Sequence, residues 1–159
     1  MFRARIPYKI SANKKTTKVE TDKTESKLKN IGKINVLVVD DARENRFIVK
    51  TYLSKLGIKP DEASGGEEAL LLIKDKDYDI ILLDIQMPGI DGYQVLDEAR
   101  QLEEGRSKKA FIIALTAHSL PEDVEKSKAA GFDEHISKPI RKKEFLINIK
   151  EVIERMIKG

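Results

Sequence analysis

Between residue 34 and the end of the chain, short apolar runs alternate with longer segments whose apolar residues recur at helical spacing. The runs Ile80–Leu83 and Phe111–Leu115 show no polar alternation, which is typical of strands buried on both faces. Alternating strands and helices favour a parallel sheet covered by helices on both sides. Because crossover connections are right-handed, few strand orders remain. The sequence therefore predicts an α/β fold built on one parallel sheet.

The sequence predicts five strands and five helices in strict alternation. The strands are predicted at Ile34–Val39, Lys59–Ala63, Ile80–Leu83, Phe111–Leu115 and Glu134–Ser137. Four helices are predicted at Arg43–Leu56, Glu67–Lys74, Tyr93–Leu102 and Pro121–Ala130. The fifth helix carries an apolar stripe at Phe145, Ile149, Val152, Ile153 and Met156. We expect a flavodoxin-like (βα)5 three-layer sandwich with the strand order 2-1-3-4-5.

Composition excludes several classes of protein. The chain has 159 residues, 40% hydrophobic and 36% charged, and no cysteine. Without cysteine there is no disulfide, no thiolate metal site and no cysteine nucleophile. No run approaches the ~20 apolar residues that span a bilayer, and Met1–Pro7 lacks the apolar core of a secretory signal. These features predict a soluble, cytoplasmic protein.

Charge is distributed unevenly along the chain. Residues 1–33 hold ten Lys/Arg against three Asp/Glu, a net +7, whereas residues 34–159 carry a net −4. The polar segment 11–33 cannot bury enough apolar surface to offset the entropy of ordering it. We predict that 11–33 is a flexible basic linker. The acidic globular part and the lack of a recognition-helix extension predict no nucleic-acid binding, and we expect no direct membrane contact.

Polar residues stand where the predicted strands end. Asp40 and Asp41 follow the first strand, Asp84 the third, Thr116 the fourth and Lys138 the fifth. The carboxyl ends of parallel strands share one edge, and ligands bind there near the switch in strand order. Three carboxylates brought together repel one another and raise each other's pKa. A hard divalent cation relieves this repulsion, and Mg2+ (or Mn2+) suits oxygen ligands beside a phosphate.

Asp84 is the best nucleophile of this set because it is central. A carboxylate can attack phosphorus and form an aspartyl phosphate. That transfer depends mostly on positioning and on neutralising charge, which a cation and Lys138 would supply while Thr116 donates a hydrogen bond. A metal-dependent aspartyl-phosphate phosphatase is an alternative, but it typically needs a second carboxylate two residues after the nucleophile. Here that residue is Gln86.

Each of these residues also has a purely structural explanation. Asp40 and Asp41 are as consistent with a helix N-cap pair as with a metal site. Asp84 precedes a Pro-Gly loop and could form a turn, Thr116 could be an N-cap, and a single lysine such as Lys138 is most often a surface charge. Their convergence on one sheet edge favours the functional interpretation.

Four blocks of the sequence resemble the signature blocks of response-regulator receiver domains. They are Val36–Asp41, Leu82–Gly92, Ala114–Ala117 and Lys138–Pro139, and the resemblance covers about residues 34–158 in the same order. It implies that Asp84 is the phosphoacceptor and that Asp40 and Asp41 form an acidic pocket. It also implies direct metal contacts from Asp41, Asp84 and the backbone carbonyl of Gln86.

The same resemblance assigns roles at the fourth and fifth strands. Thr116 is implied to be the switch hydroxyl, Lys138 to pair with the phosphoryl group, and the Lys138–Pro139 peptide to be cis. The family's switch aromatic lies three residues before the lysine, and here that residue is His135. A swinging imidazole and a strand-end histidine without a role both remain open. His118, like Gln86, is implied to tune the lifetime of the acyl phosphate.

The resemblance also implies partners. The phosphoryl donor is a histidine kinase dimerisation/phosphotransfer domain or a histidine phosphotransfer protein. We expect it to dock on the first helix through Arg43, Asn45, Arg46 and Phe47. Phosphorylation should repack the surface of the fourth helix, fifth strand and fifth helix.

The first residues resemble a second family. Phe2–Pro7 is similar to the closing strand of a histidine-kinase ATP-binding domain. Our hypothesis is that residues 1–10 are that strand, 11–33 a linker and 34–159 the receiver of a hybrid histidine kinase, which leaves open whether the parent kinase is membrane-anchored. A stand-alone response regulator with a short unstructured leader is the alternative. The receiver itself would catalyse only its own phosphorylation and dephosphorylation.

Overall fold

The computed structural model describes residues 33–158. The strands β1 to β5 are Val36–Val39, Asp61–Ala63, Ile80–Asp84, Phe111–Thr116 and Glu134–Ser137. The helices α1 to α5 are Arg43–Ser54, Gly66–Asp75, Gly92–Arg100, Pro121–Ala130 and Lys142–Lys158. The predictions for residues 1–10 and, apart from Lys33, for the linker 11–33 lie outside the described residues.

The five strands form one parallel sheet in the order β2-β1-β3-β4-β5. The central strand β3 pairs with β1 on one side and β4 on the other, and Asp84 at its end lies opposite Leu115. The predicted α/β fold and strand order are confirmed. Since the order reverses between β1 and β3, the ends of these two strands form a crevice at the carboxyl edge.

The core lies in two layers, one on each face of the sheet. Side chains alternate along β1, so Val36 and Val38 join a cluster with α1 and α5, while Leu37 and Val39 join a cluster with α2 and α3. Four members of the predicted α5 stripe are buried and Met156 is partly buried. Burial on both faces explains why the central strands contain continuous apolar runs rather than alternating ones.

Several element ends differ from the sequence prediction by one or two residues, and two of these differences have a clear local cause. Helix α1 ends at Ser54 rather than Leu56, because the three amides after Ser54 bond to carbonyls three residues earlier and Gly57 turns the chain with φ 74°. Strand β2 begins at Asp61 rather than Lys59, since Pro60 has no N–H for the ladder. A short 3-10 helix at Arg106–Lys109, before β4, was not predicted.

Helix α4 is attached more weakly than the other helices. Its only buried residue is Ser127, whose hydroxyl donates to the Val124 carbonyl within the helix. Towards α3 it presents Lys126, whose Nζ lies 5.3 Å from the centroid of the Tyr93 ring. Little apolar surface therefore holds this helix against the sheet.

Helix α5 is long but amphipathic, with buried Phe145 and Ile149 on one side and charged residues such as Lys150 and Glu151 exposed on the other. Neither it nor another helix within residues 33–158 has the length and apolar character needed to cross a membrane.

Candidate functional site

Three carboxylates meet at the carboxyl edge of the sheet. Asp40 and Asp41 follow β1 directly, and Asp84 ends β3. One carboxylate oxygen from each lies within 4.8 Å of the others. Asp40 is fully buried and Asp84 is 3% exposed, whereas Asp41 is exposed. The cluster is thus anchored in the core on one side and opens to solvent on the other.

Lys138, which directly follows β5, reaches across to the two buried carboxylates. Its Nζ lies 2.9 Å from Oδ2 of Asp40 and 3.2 Å from Oδ2 of Asp84. The backbone N–H of Lys138 donates to the Thr116 carbonyl at 2.7 Å, and the Lys138–Pro139 peptide is cis. A backbone hydrogen bond therefore fixes the position of Lys138, and its ammonium group balances the negative charge of the two buried carboxylates.

Burial and like charge govern the titration of the site. Burial first, and then the negative charge of Asp40, raise the pKa of Asp84 to about 6, although Lys138 and the Gln86 N–H offset part of this effect. Burial lowers the pKa of Lys138, but its hydrogen bond to Asp40 and the charges of Asp84 and Asp40 outweigh burial and raise that pKa. At neutral pH Asp84 is therefore mostly ionised and Lys138 is protonated, so the two groups carry opposite charges.

The raised pKa of Asp84 predicts a pH dependence of stability. Because the folded chain binds this proton more tightly than the unfolded chain, the stabilisation is complete below about pH 4 and is lost as pH rises through about 6. We expect the free energy of unfolding in metal-free buffer to rise by about 1 kcal/mol between pH 7 and pH 5. Urea titrations at each pH measure it.

The control for this pH dependence is Asp84→Asn, which removes the titrating group and should flatten that part of the profile. Asp61, Glu62 and Glu68, whose pKa values are lowered by their hydrogen bonds, lose their stabilising contribution only at more acidic pH. A flat wild-type profile between pH 7 and pH 5 would place the pKa of Asp84 near its ordinary value and contradict the prediction.

The loop from β3 to α3 fixes the position of the Asp84 carboxylate through a backbone hydrogen bond. The Gln86 N–H donates to Oδ1 of Asp84 at 3.1 Å, and the Gly92 N–H donates to the Ile85 carbonyl at 2.9 Å. A Cβ at Gly92 would lie 2.5 Å from the Asp84 carbonyl oxygen, so only glycine permits this approach. Asp91 and Gln94 form a capping box that starts α3 at Gly92, one residue before the predicted start.

Thr116 ends β4 and is 7% exposed. Its hydroxyl donates to the His118 carbonyl at 3.0 Å and accepts from the His118 N–H at 2.9 Å. The single hydroxyl proton of Thr116 is therefore used within the loop after β4, and Thr116 must release the His118 carbonyl before it can donate to another group. The sequence did not indicate this local arrangement. The imidazole of His118 is exposed.

His135 lies within β5, opposite Ala114 of β4. The residue is half-buried, and its Nδ1 atom is buried with no hydrogen-bond partner among the residues described. A buried ring nitrogen without a partner is unfavourable in this position of the side chain. The switch role of His135 stays a prediction.

The four residues predicted to dock a donor differ in exposure. Phe47 is 68% exposed and Arg43 is also exposed, and both line a shallow cleft of about 370 Å3 on α1. Asn45 and Arg46 are half-buried and turn inward: the Asn45 amide donates to Oδ1 of Asp40 at 3.4 Å, and Arg46 contacts the Asp40 carbonyl. Docking by these residues remains a prediction.

The donor set of the site fits a hard divalent cation. Carboxylate oxygens are the ligands that Mg2+ takes in proteins, usually with several waters, and this cluster is open to solvent on one side. The Gln86 side chain is exposed, and its backbone lies at the rim beside Asp84. The structure therefore brings together the three aspartates and Lys138 that the sequence predicted at this edge.

Comparison with known proteins decides the family. Residues 36–150 match the response regulator receiver domain. The chain belongs to that family. As a receiver domain it is a component of two-component signal transduction, and its sheet order is that of the family's fold.

Relatives of the receiver domain include pieces of much longer proteins. It is 41% identical over 140 residues to hybrid signal transduction histidine kinase L of Dictyostelium discoideum, which covers 86% of this chain and 8% of that protein. It is 34% identical over 110 residues to the sensor protein GacS of Pseudomonas syringae pv. syringae, 69% of this chain and 12% of that protein. The chain thus spans about a tenth of these relatives and is similar to the receiver domains of hybrid kinases.

A solved structure extends the comparison to the site. The receiver domain of the sensor histidine kinase PA1611 from Pseudomonas aeruginosa PAO1 has a TM-score of 0.67 and 29% identity, covering 79% of this chain and 98% of that one. That domain was crystallised with a magnesium ion coordinated in its active-site cleft.

Proposed function

We propose that this receiver domain takes a phosphoryl group from a phosphohistidine donor onto Asp84, with Mg2+ (or Mn2+) held by Asp40, Asp41, Asp84 and the Gln86 backbone carbonyl. The observation that carries the proposal is the convergence of three carboxylates and Lys138 at one edge of the sheet. The relatives among hybrid kinases and the magnesium ion in a related receiver domain support it.

The chemistry follows from the positions of the side chains. An Asp84 carboxylate oxygen attacks the phosphorus, the phosphorus–nitrogen bond of the phosphohistidine breaks, and the nitrogen keeps the electron pair. Held by the three carboxylates, a divalent cation would neutralise part of the charge on the phosphoryl oxygens. Lys138, already 3.2 Å from Asp84, supplies a second positive charge without rearrangement. The Gln86 N–H donates to Oδ1 of Asp84, while Lys138 contacts Oδ2, so both oxygens of the carboxylate are held.

Phosphorylation then changes the switch region. The phosphoryl group adds about −1.5 to −2 charges beside Asp84. Thr116 releases the His118 backbone and donates to a phosphoryl oxygen, and the surface formed by α4, β5 and α5 repacks. The weak attachment of α4, with only Ser127 buried, favours movement of this surface over the rest of the domain.

The partners follow from the proposed chemistry. The donor is a histidine kinase dimerisation/phosphotransfer domain or a histidine phosphotransfer protein, which docks beside the exposed Phe47 and Arg43 of α1. We propose that the chain is the receiver of a cytoplasmic part of a hybrid histidine kinase, with residues 1–10 ending its ATP-binding domain and 11–33 forming a linker. Nucleic acid and membrane are not proposed as partners.

Intact-mass measurement tests the proposed phosphorylation. After incubation with a small acyl-phosphate donor and Mg2+, the wild-type chain should gain one phosphoryl group, and a metal chelator should suppress the gain because the buried carboxylates then repel the incoming anion. A phosphohistidine-containing domain should act as donor under the same conditions. Equal labelling with and without the chelator would contradict the metal's part in the proposal, and no labelling in either case would contradict the proposal itself.

A further inference from the structure

Arg46 forms a bridge between the acidic pocket and the edge strand of the sheet. Its Nη1 donates to the backbone carbonyl of Asp40 at 2.7 Å, and its Nε faces Oε1 of Glu62 on β2 at 3.4 Å. Although Arg46 lies in the first turn of α1, its side chain is only 15% exposed. An arginine predicted for docking is thus directed towards the interior, at the base of the carboxylate cluster.

The carbonyl that Arg46 contacts belongs to the peptide unit joining Asp40 to Asp41. Because a peptide unit is planar, holding its oxygen fixes ψ of Asp40 and φ of Asp41 together. Those two angles set the relative direction of the Cα–Cβ bonds from which the two neighbouring carboxylates extend. On its other side the segment is held by the Asp40 N–H, which donates to the Ala63 carbonyl at 3.2 Å.

Glu62 completes the bridge and provides a matched control. It lies opposite Val38 of β1 in the sheet, and its second oxygen, Oε2, accepts from Lys50 Nζ at 2.7 Å. The hydrogen bond to Lys50, and then the charges of Lys50 and Arg46 and the bond to Arg46, lower the pKa of Glu62 against the opposing effect of burial. Lys50 therefore shares the carboxylate with Arg46, but it has no contact with the Asp40–Asp41 peptide among those described.

We infer that Arg46 is a positioning residue for the metal site, whose bridge from the Asp40 carbonyl to Glu62 holds the Asp40 and Asp41 carboxylates in the arrangement that binds the cation. The inference rests on the proposed function, because it concerns the cation proposed there. The inference extends the proposed function, because it makes the metal affinity of the site depend on Arg46, which supplies no metal ligand. Groups that orient metal ligands commonly change affinity by about 10- to 100-fold when removed.

Charge alone makes the opposite prediction. The Arg46 guanidinium is a cation beside a cation site, so its removal should strengthen metal binding if only Coulomb interactions matter. Positioning predicts that its removal weakens binding. The double variant Arg46→Gln/Glu62→Gln removes one positive and one negative charge and leaves the local net charge unchanged, which separates the two effects.

The experiment measures Mg2+ affinity directly, by following the backbone amide signals of Asp41 and Gln86 in NMR titrations of the chain. We expect Arg46→Gln and Arg46→Gln/Glu62→Gln to bind Mg2+ about 10-fold more weakly than wild type. Arg46→Lys, which keeps the charge but not the two-sided geometry, should recover part of the loss. The control Lys50→Gln, which removes the other partner of Glu62, should bind within about twofold of wild type.

Several outcomes would overturn the inference. Wild-type affinity in Arg46→Gln, or tighter binding, would show that positioning by Arg46 does not matter. An equal loss in Lys50→Gln would assign the effect to Glu62 or to general stability, and recovery of wild-type affinity in the double variant would assign it to the Glu62 carboxylate that Arg46→Gln leaves without its partner. If the wild-type chain shows no Mg2+-dependent shifts, the proposed metal site fails and this inference fails with it. Urea titrations of each metal-free variant separate weak binding from partial unfolding.

Discussion

The Asp84→Asn variant is expected to take up no phosphoryl group under conditions in which the wild-type chain gains one. Asparagine has nearly the same shape as aspartate but lacks the anionic oxygen that attacks phosphorus. Asp84 is the carboxylate at the end of the central strand, held by Lys138 on one oxygen and by the Gln86 N–H on the other. The loss should therefore be complete, and intact-mass measurement after incubation with an acyl-phosphate donor and Mg2+ detects it.

Asp97→Asn is the matched control for this loss. It makes the same chemical change on the exposed surface of α3, where the Asp97 carboxylate accepts only from the Gln101 side-chain amide among the hydrogen bonds described for it. It should be phosphorylated as fully as wild type. If Asp84→Asn still gains the mass of one phosphoryl group, a different residue is the acceptor, and peptide mapping of the labelled chain would identify it.

The Lys138→Met variant is expected to lose about 3 kcal/mol of unfolding free energy at neutral pH. Removing one partner of a buried ion pair leaves charge without compensation, which typically costs about 3–5 kcal/mol. Here two carboxylates depend on the same ammonium group, since Asp40 is fully buried, Asp84 is 3% exposed and both lie within 3.2 Å of Nζ. Urea denaturation in metal-free buffer measures the loss.

Combining Lys138→Met with Asp84→Asn tests the cause of that loss. The double variant retains one buried carboxylate instead of two and should recover part of the stability, so the two substitutions should not be additive. Lys143→Met, a change of the same kind at an exposed position of α5, should alter stability by less than about 0.5 kcal/mol. Additive losses, or a Lys138→Met variant as stable as wild type, would show that the ion pairs do not balance the buried charge.

Much of the fold could be predicted because burial leaves a local mark on the sequence. Continuous apolar runs such as Ile80–Leu83 identify strands covered on both faces, and the α5 stripe from Phe145 identifies a helix covered on one. Once the strand order is chosen, the residue after each strand must lie at the same edge. For this reason three aspartates and Lys138, which are far apart in the chain, could be placed together from the sequence alone.

The remaining features depend on distances that sequence spacing does not encode. Arg46 was predicted to face a partner, yet it turns inward because Glu62, sixteen residues away, lies within reach on the neighbouring strand. The Thr116 hydroxyl is engaged by the backbone of its own loop, which residue type alone does not determine. The Asp91–Gln94 capping box, by contrast, has a recognisable local pattern at three-residue spacing and could have placed the start of α3 correctly.

Because packing beneath α4 is sparse, with Ser127 as its only buried residue, displacement of this helix exposes little nonpolar area. If α4 can adopt two positions, a partner that binds one of them more tightly shifts the equilibrium towards it. The size of the shift is set by the ratio of the two affinities. If the proposed phosphorylation of Asp84 shifts that equilibrium, thermodynamic reciprocity requires binding at the α4 surface to change the free energy of phosphorylation by the same amount.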